Sequence, residues 1–121
     1  MKIIIQGKIP SGNRRAIGKK NGKPFIYKTQ QKEIKDIVLQ IKQQWRLPTI
    51  TQEVEIFYTF YFPDRKKRDV DNRLKILNDC LEEAGVIADD NLITDGHFKK
   101  RVSKEKGHLT IIEIKEINIA E

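Results

Sequence analysis

The pattern of apolar and polar positions changes its period along the chain, and each period predicts an element of secondary structure. In residues 52–62 the residues alternate between two faces, as they do in a strand, and the segment is rich in β-branched and aromatic residues. One face carries Val54, Ile56, Tyr58, Phe60 and Phe62, whereas the other becomes apolar only toward its end. This pattern predicts a central strand with one end well buried.

Two other segments have the period of an amphipathic helix. The first extends from about Thr29 to Arg46, with Thr29 as a candidate N-cap and Leu47-Pro48 as its stop. Its apolar positions are Ile34, Ile37, Val38, Ile41 and Trp45.

The second predicted helix extends from Val70 to Ala84. Asp69 is suited to the N-cap, and Gly85 is suited to the first position after the helix. The apolar stripe of this helix is formed by Val70, Leu74, Leu77, Leu81 and Ala84.

The remaining segments complete an α+β domain. Strands are predicted at residues 2–9, 92–101 and 109–117, and residues 10–29 predict a long loop or loose hairpin that contains two Pro and three Gly. The order β-α-β-α-β-β favours a mixed sheet with its two helices on one side. A length of 121 residues predicts a single domain spanning residues 1–121.

The composition excludes several classes of protein. No apolar run approaches the roughly 18 residues of a membrane-spanning helix, and Met1 to Gly7 is typical of a first strand rather than a signal peptide. A single cysteine, Cys80, excludes an internal disulfide and a multi-cysteine zinc site, which favours a cytoplasmic protein.

The net charge of +7 is unevenly placed. Residues 1–35 contain ten Lys or Arg and one acid, a net of +9, and the remainder has a net of −2. A basic segment joined to an acidic one suits phosphate attraction in one place and metal binding in another. The alternative is that the lysines only keep the protein soluble.

Acidic residues cluster around the second predicted helix. Asp69 and Asp71 lie at its start, and Asp89-Asp90 follow its end. Lys75 shares a helix face with Asp71, Asn78 and Glu82. Asp90 reaches the first two acids only if residues 86–90 run back antiparallel beside the helix, because a helix of this length exceeds about 20 Å.

Brought together, Asp69, Asp71 and Asp90 are the residue types that hold Mg²⁺ through oxygen ligands. Bound ions of this kind activate water and stabilise the in-line displacement of a phosphodiester. Lys75 would then contact the scissile phosphate and Arg68 a neighbouring one. His97 and His108 stand apart and are interpreted as surface or structural histidines.

Each acid also has an explanation that needs no activity. Asp69 suits a helix cap, Asp71 a first-turn acid with an i,i+4 partner in Lys75, and Asp89-Asp90-Asn91 a turn. A D-x-D pair also occurs in sugar-nucleotide transferases. If all of these acids serve only as caps and turns, the net positive charge alone predicts a non-catalytic module that binds DNA or RNA without metal.

The joint pattern resembles the RusA-type Holliday junction resolvases. The resemblance is carried by Arg68-Asp69-Val70-Asp71-Asn72 with Lys75, by residues 84–87 and by Asp89-Asp90. Residues 9–14 resemble the Pro-Ser-x-Asn loop of that family, although Ile9 stands where a second proline is common.

This resemblance implies a small homodimeric endodeoxyribonuclease of bacteria or prophages that requires Mg²⁺, with Mn²⁺ as a substitute. Such enzymes resolve four-way DNA junctions by paired nicks in recombination and repair. The family's catalytic carboxylates match Asp69, Asp71 and Asp90, and its lysine matches Lys75. Asp89 stands next to the matched acid. A nuclease for another branched or flap DNA would share this site.

DNA contacts are expected from two parts of the chain. Arg68 matches a family position linked to DNA binding, and Lys75 adjoins the predicted site. The basic segment adds Asn13, Arg14, Arg15, Lys19 and Lys20. A homodimer would present two acidic sites on one positive surface, matching the two-fold symmetry of a four-way junction.

Overall fold

The structure, a computed structural model, describes residues 1–11, 18–20, 23–25 and 28–117, with side chains described for residues 1–11 and 31–117. Its strands and helices are β1 (Lys2–Gln6), β2 (Gly18–Lys20), β3 (Lys23–Phe25), α1 (Lys28–Gln44), β4 (Val54–Phe62), α2 (Asp71–Glu83), β5 (Ile93–Val102) and β6 (Leu109–Glu116). A 3₁₀ turn, Asp90–Leu92, precedes β5.

Four strands form one mixed sheet in the order β1-β6-β4-β5, and β2 pairs with β3 as a separate hairpin. Only the β4–β5 pairing in this sheet is parallel; β4–β6 and β1–β6 are antiparallel. The predicted α+β class, the mixed sheet and the interior position of β4 are therefore confirmed.

The core lies between one face of the sheet and the two helices. The predicted inward face of β4, from Val54 to Phe62, is buried along its whole length, whereas the opposite face is half-buried. The predicted apolar positions of α1 belong to the same core. Helix α2 buries more than its predicted stripe, because Ile76 and Cys80 are also buried there, while Leu74 and Ala84 are half-buried.

Helix α1 differs from its prediction at both ends. It begins at Lys28, so Thr29 lies inside the helix rather than at its N-cap, and it ends at Gln44 rather than Arg46. Its Gln40 and Gln44 side chains hydrogen-bond to the backbone of β1, at Gln6 and Ile4. These amides occupy the outer edge of β1 and fix α1 against the sheet.

Helix α2 is bounded by two specific features. Its N-cap is Val70 rather than Asp69, and Val70 makes no side-chain capping bond. At the other end Gly85 has a φ of +80°, the left-handed conformation predicted for the position after the helix. The chain then turns back, and Ile50 pairs with Ile87 in a parallel bridge. No helix among the described residues is both long and apolar enough to cross a membrane.

Candidate active site

The first two predicted acids lie at the N-terminal end of α2. One carboxylate oxygen of Asp69 accepts a hydrogen bond of 3.0 Å from the backbone N–H of Asp71. Its other oxygen accepts one of 3.1 Å from the side-chain amide of Asn72. Asp69 thus bonds the start of the helix from the residue before the N-cap, one position earlier than the N-cap position predicted for it. The carboxylates of Asp69 and Asp71 both lie where the helix dipole favours negative charge.

Lys75 lies one turn along the exposed face of the same helix. Asp71, Lys75 and Glu82 are exposed, as the shared face predicts, while Asn78 is half-buried and accepts a hydrogen bond from the Tyr58 hydroxyl. No ion pair joins Asp71 to Lys75 in the described part of the chain. The structural explanation of this pair as an i,i+4 salt bridge is therefore not supported, and the Lys75 ammonium faces solvent.

The third predicted acid lies at the opposite end of α2. The backbone N–H of Asp90 donates a hydrogen bond of 3.0 Å to a carboxylate oxygen of Glu82. Asp89 caps the 3₁₀ turn by accepting a bond of 2.9 Å from the N–H of Asn91, as the turn interpretation predicted. Carboxylate oxygens of Glu82, Asp89 and Asp90 all lie within 4.8 Å of one another, and we call these three residues the Asp90 cluster.

No ion pair among the described residues involves the Asp90 cluster. Desolvation raises the pKa of Asp90, and a carboxyl hydrogen bond with Asp89 and the negative charges of Glu82, Asp89 and Asp79 raise it further. Like charges at this distance disfavour the ionised form of each other. A divalent cation among these oxygens would reverse that penalty, and carboxylates are the ligands that Mg²⁺ and Mn²⁺ prefer.

The structure does not bring the predicted trio together within one chain. Across residues 1–11 and 31–117, Asp69, Asp71 and Asp90 do not form a group with oxygens within 4.8 Å of one another. The chain does fold back beside α2, as the prediction required, but the contact that it makes is with Glu82 in the last turn.

The parallel pairing of β4 with β5 is the physical reason for this separation. Asp69 follows the end of β4, whereas Asp90 precedes the start of β5, which is level with Val54 at the start of β4. The two acids therefore lie at opposite ends of a strand pair of about 26 Å. Along α2, eleven residues separate Asp71 from Glu82, a rise of about 16 Å.

Arg68 is held beside the acids at the N-terminal end. Its guanidinium forms a two-pronged ion pair with Asp64, with N–O distances of 2.7 and 3.3 Å. This partner, together with the backbone N–H of Lys66, lowers the pKa of Asp64 to about 2. Arg68 also lies over the ring of Phe62, 4.8 Å from its centre. The residue predicted to bind DNA is thus fixed in position.

The basic segment is only partly described. Asn13, Arg14 and Arg15 lie outside the described residues. Lys19 and Lys20 belong to β2, which pairs with β3 as a short hairpin, but their side chains are not described. The predicted DNA contacts of these five residues therefore stay predictions.

Two side chains near the acids are not indicated by the sequence pattern as members of the site. Glu82 was assigned to a helix face but not to an acid site, because its partnership with Asp90 depends on where the chain turns back. Arg73 donates a hydrogen bond to the backbone carbonyl of Asp69, and its only signal was its position in the first turn of α2. The contacts of these two side chains, rather than their places in the sequence pattern, distinguish them from ordinary surface charges.

A third group lies on the uncovered face of the sheet. His97 Nε2 is 3.1 Å from a carboxylate oxygen of Glu55 and 3.4 Å from one of Asp95, and the imidazole stacks on Phe57. His97 is half-exposed, in agreement with its interpretation as a surface histidine. It lies on the strand pair, apart from the acids at either end of α2.

Comparison with known proteins agrees with the resemblance seen in the motif. Residues 7–115 match the family described as "Endodeoxyribonuclease RusA". The "Crossover junction endodeoxyribonuclease RusA" of Aquifex aeolicus (strain VF5) is 37% identical over 98 residues, covering 81% of this chain and 77% of that protein. The matched residues include the whole of α1, β4, α2 and β5 and all but the last residue of β6, whereas β1 precedes them. The chain therefore belongs to the RusA family of endodeoxyribonucleases.

Proposed function

We propose that this protein is a Mg²⁺-dependent endodeoxyribonuclease that resolves four-way DNA junctions by paired symmetric nicks in the cytoplasm, during recombination and repair. The observation that carries this proposal is the pair of acidic groups at the two ends of α2, within a chain of the RusA family. The domain that performs the reaction spans residues 1–121.

The donor set fits a hard divalent cation. The candidate ligands are the carboxylates of Asp69, Asp71 and Asp90, all exposed, and the raised pKa of Asp90 indicates a place where negative charge lacks a partner. Oxygen ligands of this kind suit Mg²⁺, with Mn²⁺ as a substitute. The bound ion would lower the pKa of a water and neutralise charge that develops on the phosphate.

The chain's own residues supply the rest of the site. The exposed ammonium of Lys75 is free of Asp71 and is placed to stabilise charge on the scissile phosphate. Asp69 is oriented by the N–H of Asp71 and the amide of Asn72, so its carboxylate is fixed before substrate arrives. Arg68, held by Asp64, would bind an adjacent phosphate.

We further propose that the enzyme works as a C2 homodimer in which the two acidic groups meet between protomers. Within one chain Asp90 lies at the far end of α2 from Asp69 and Asp71, so the trio needs a second source for one of its members. A two-fold axis would place Asp90 of one protomer beside Asp69 and Asp71 of its partner, twice per dimer. Such a dimer also supplies the two cuts that a four-way junction requires.

Mixing two inactive variants tests this proposal. Asp71→Asn and Asp90→Asn should each abolish cleavage of a labelled four-way junction in Mg²⁺ and in Mn²⁺. If sites form between protomers, a mixed dimer contains one doubly altered site and one intact site. If the two variants are refolded together in equal amounts and pair at random, about half of the dimers are mixed, so about a quarter of all sites should be intact. Because each mixed dimer has one intact site, the products should be mainly single nicks.

Each outcome has a definite reading. If mixed dimers are verified by two affinity tags and cleavage is still not restored, the sites are not shared between protomers. Each site would then have to lie within one chain. Full cleavage by either variant alone would contradict the assignment of the acids. A panel of junction, flap and linear DNA, cut by the wild type in the same buffer, tests the choice of substrate; equal rates on all three would overturn it.

A further inference from the structure

A cavity of about 330 Å³ lies beside the N-terminal end of α2. Its polar lining comes from segments that are far apart in sequence: the residues after β1, the first turns of α1 and α2, and the start of β6. The charged or titratable side chains are Lys8, Glu33, Arg68, Arg73 and His108. Among the described residues, three cations and one acid line this cavity, which predicts a preference for an anion.

The ring of Phe62 organises the basic groups. The guanidinium carbons of Arg68 and Arg73 lie 4.8 and 5.7 Å from the ring centre, and the His108 ring meets Phe62 edge-on at 6.0 Å. Phe62 itself is buried. Stacking on a fixed ring restricts the rotamers of both arginines, so less conformational entropy is lost when they bind a ligand.

Backbone contacts hold Lys8 at the rim of the same cavity. The N–H of Gly7 donates a hydrogen bond of 3.0 Å to the carbonyl of His108, joining the end of β1 to the start of β6. Gly7 has a φ of +99°, which a residue with a Cβ rarely adopts. This turn places Lys8 next to the start of β6, and Lys8 lines the same cavity as the two arginines.

Like charges remain crowded around the cavity. Desolvation and then the neighbouring charge of Arg68 lower the pKa of Arg73. Burial, followed by the charges of Arg68 and Lys8, lowers the pKa of His108, with a smaller opposing effect from Asp64 and a further lowering by Arg73. Asp64 engages two nitrogens of Arg68, but each guanidinium carries five N–H donors, so donors remain for a ligand.

We propose that this cavity binds one non-scissile phosphodiester of the DNA, held by Lys8, Arg68 and Arg73 with His108 as a hydrogen-bonding partner. The inference rests on the proposed nuclease function for the source of the phosphate. Arg73 donates to the backbone carbonyl of Asp69, so the cavity and the candidate acid are joined by one side chain. A phosphate seated here would fix the strand in register with the acids at the N-terminal end of α2.

The first experiment tests anion binding without DNA. The ring signals of ¹⁵N-labelled histidines are followed by NMR as inorganic phosphate is added at constant ionic strength. We expect a saturable change at His108, whose surroundings include Lys8, Arg68, Arg73, Asp64 and Glu33. His97, on the uncovered face of the sheet, is the internal control and should not respond.

The second experiment tests DNA binding with matched variants. Lys8→Gln and Arg73→Gln should each weaken junction binding by about tenfold, as expected for one charge-assisted contact, and reduce the salt slope by about one. Arg46→Gln, at an exposed arginine two residues after α1, is the control and should match the wild type. Because Lys8 is exposed, its variant should keep the wild-type melting temperature even if Arg73→Gln is destabilised.

Arg73→Lys separates charge from shape. It keeps the cation but loses the planar fork, so affinity should fall between those of the wild type and Arg73→Gln. The proposal is overturned if phosphate leaves His108 unchanged, or if phosphate binds but Lys8→Gln and Arg73→Gln both bind junctions like Arg46→Gln. The NMR arm needs no cleavage, so it stands even if the proposed nuclease activity fails.

Discussion

The two ends of helix α2 carry acids in opposite electrostatic surroundings. At the N-terminal end Asp64 has Arg68 as a partner, Asp69 accepts two hydrogen bonds, and the pKa of Asp64 falls to about 2. At the C-terminal end Asp90 lies among Glu82, Asp89 and Asp79, and its pKa is raised. At the first end the acids have partners within the protein, whereas at the second the carboxylates lie close to one another and form no ion pair among the described residues.

In the proposed enzyme, this difference would allow one helix to serve both DNA and metal. Cations and N–H donors at the N-terminal end attract phosphate and hold Asp69 in place. The clustered carboxylates at the C-terminal end would attract a divalent ion and repel phosphate. In the proposed enzyme both groups of acids must meet at one phosphodiester, so their separation along α2 would require a second protomer.

The largest effect should follow removal of one acid at the N-terminal end. Asp71→Asn should reduce junction cleavage by at least about 10²-fold, the scale seen when one group that stabilises the transition state is lost. Junction binding should persist, because a carboxylate that repels phosphate is removed and the basic side chains stay. Glu83→Gln on the same helix is the control for cleavage in single-turnover assays. Loss of binding by Asp71→Asn would contradict this expectation.

Helix α2 itself should be sensitive because both acidic ends depend on its packing. Leu77 is completely buried, so Leu77→Ala should reduce the free energy of unfolding by about 2–5 kcal/mol. Leu39→Ala, at an exposed position of α1, should have a much smaller effect. Urea unfolding followed by circular dichroism measures both, and equal losses would show that α2 does not belong to the cooperative core.

Neutralising one acid at each end should change stability in opposite directions. Without metal, Asp90→Asn should raise the melting temperature, because it relieves repulsion within the Asp90 cluster. Asp64→Asn should lower the melting temperature, because it removes the partner of Arg68. Differential scanning fluorimetry in EDTA and in Mn²⁺ measures both changes. A decrease for Asp90→Asn in EDTA would indicate that the cluster is already compensated.

The smallest effects should appear in the titration of the same two carboxylates. Asp64 has a lower pKa folded than unfolded, so its contribution to stability is complete above about pH 4 and is lost as pH falls through about 2. Asp90 has a higher pKa folded than unfolded, so the folded protein loses stability as rising pH ionises this carboxyl group. NMR titration of the side-chain carboxyl carbons follows Asp64 and Asp90 separately. Addition of Mg²⁺, free of paramagnetic Mn²⁺, should lower the pKa of Asp90 and leave the pKa of Asp64 unchanged.

The sequence predicted local structure well where one period dominates. The alternation in β4 identified its buried face, and the turn at Gly85 followed from its place after the apolar stripe. The N-cap of α2 was wrong by one residue, because Asp69 can bond the N–H of Asp71 from one position further out. Short polar side chains often satisfy such groups from neighbouring positions, so sequence alone does not fix the boundary.

Long-range geometry could not be read from the chain in the same way. The sequence left open whether residues 86–90 return beside α2, because the position of Asp90 depends on β5 pairing in parallel with β4, which no local pattern encodes. The cavity beside Phe62 is equally hidden, because Lys8, Arg73 and His108 come from separate segments. The motif identified which acids to consider, and only tertiary structure determines which of them are neighbours.

The fixed length of α2 also restricts how this chain can vary. Each residue of an α-helix advances about 1.5 Å and turns about 100°. One inserted residue would rotate Glu82 away from the N–H of Asp90 and change the spacing between the two acidic ends together. We therefore expect related chains to vary the exposed side chains of this helix that make none of these contacts while keeping the same number of positions between Asp71 and Gly85, so that the helix acts as a molecular ruler.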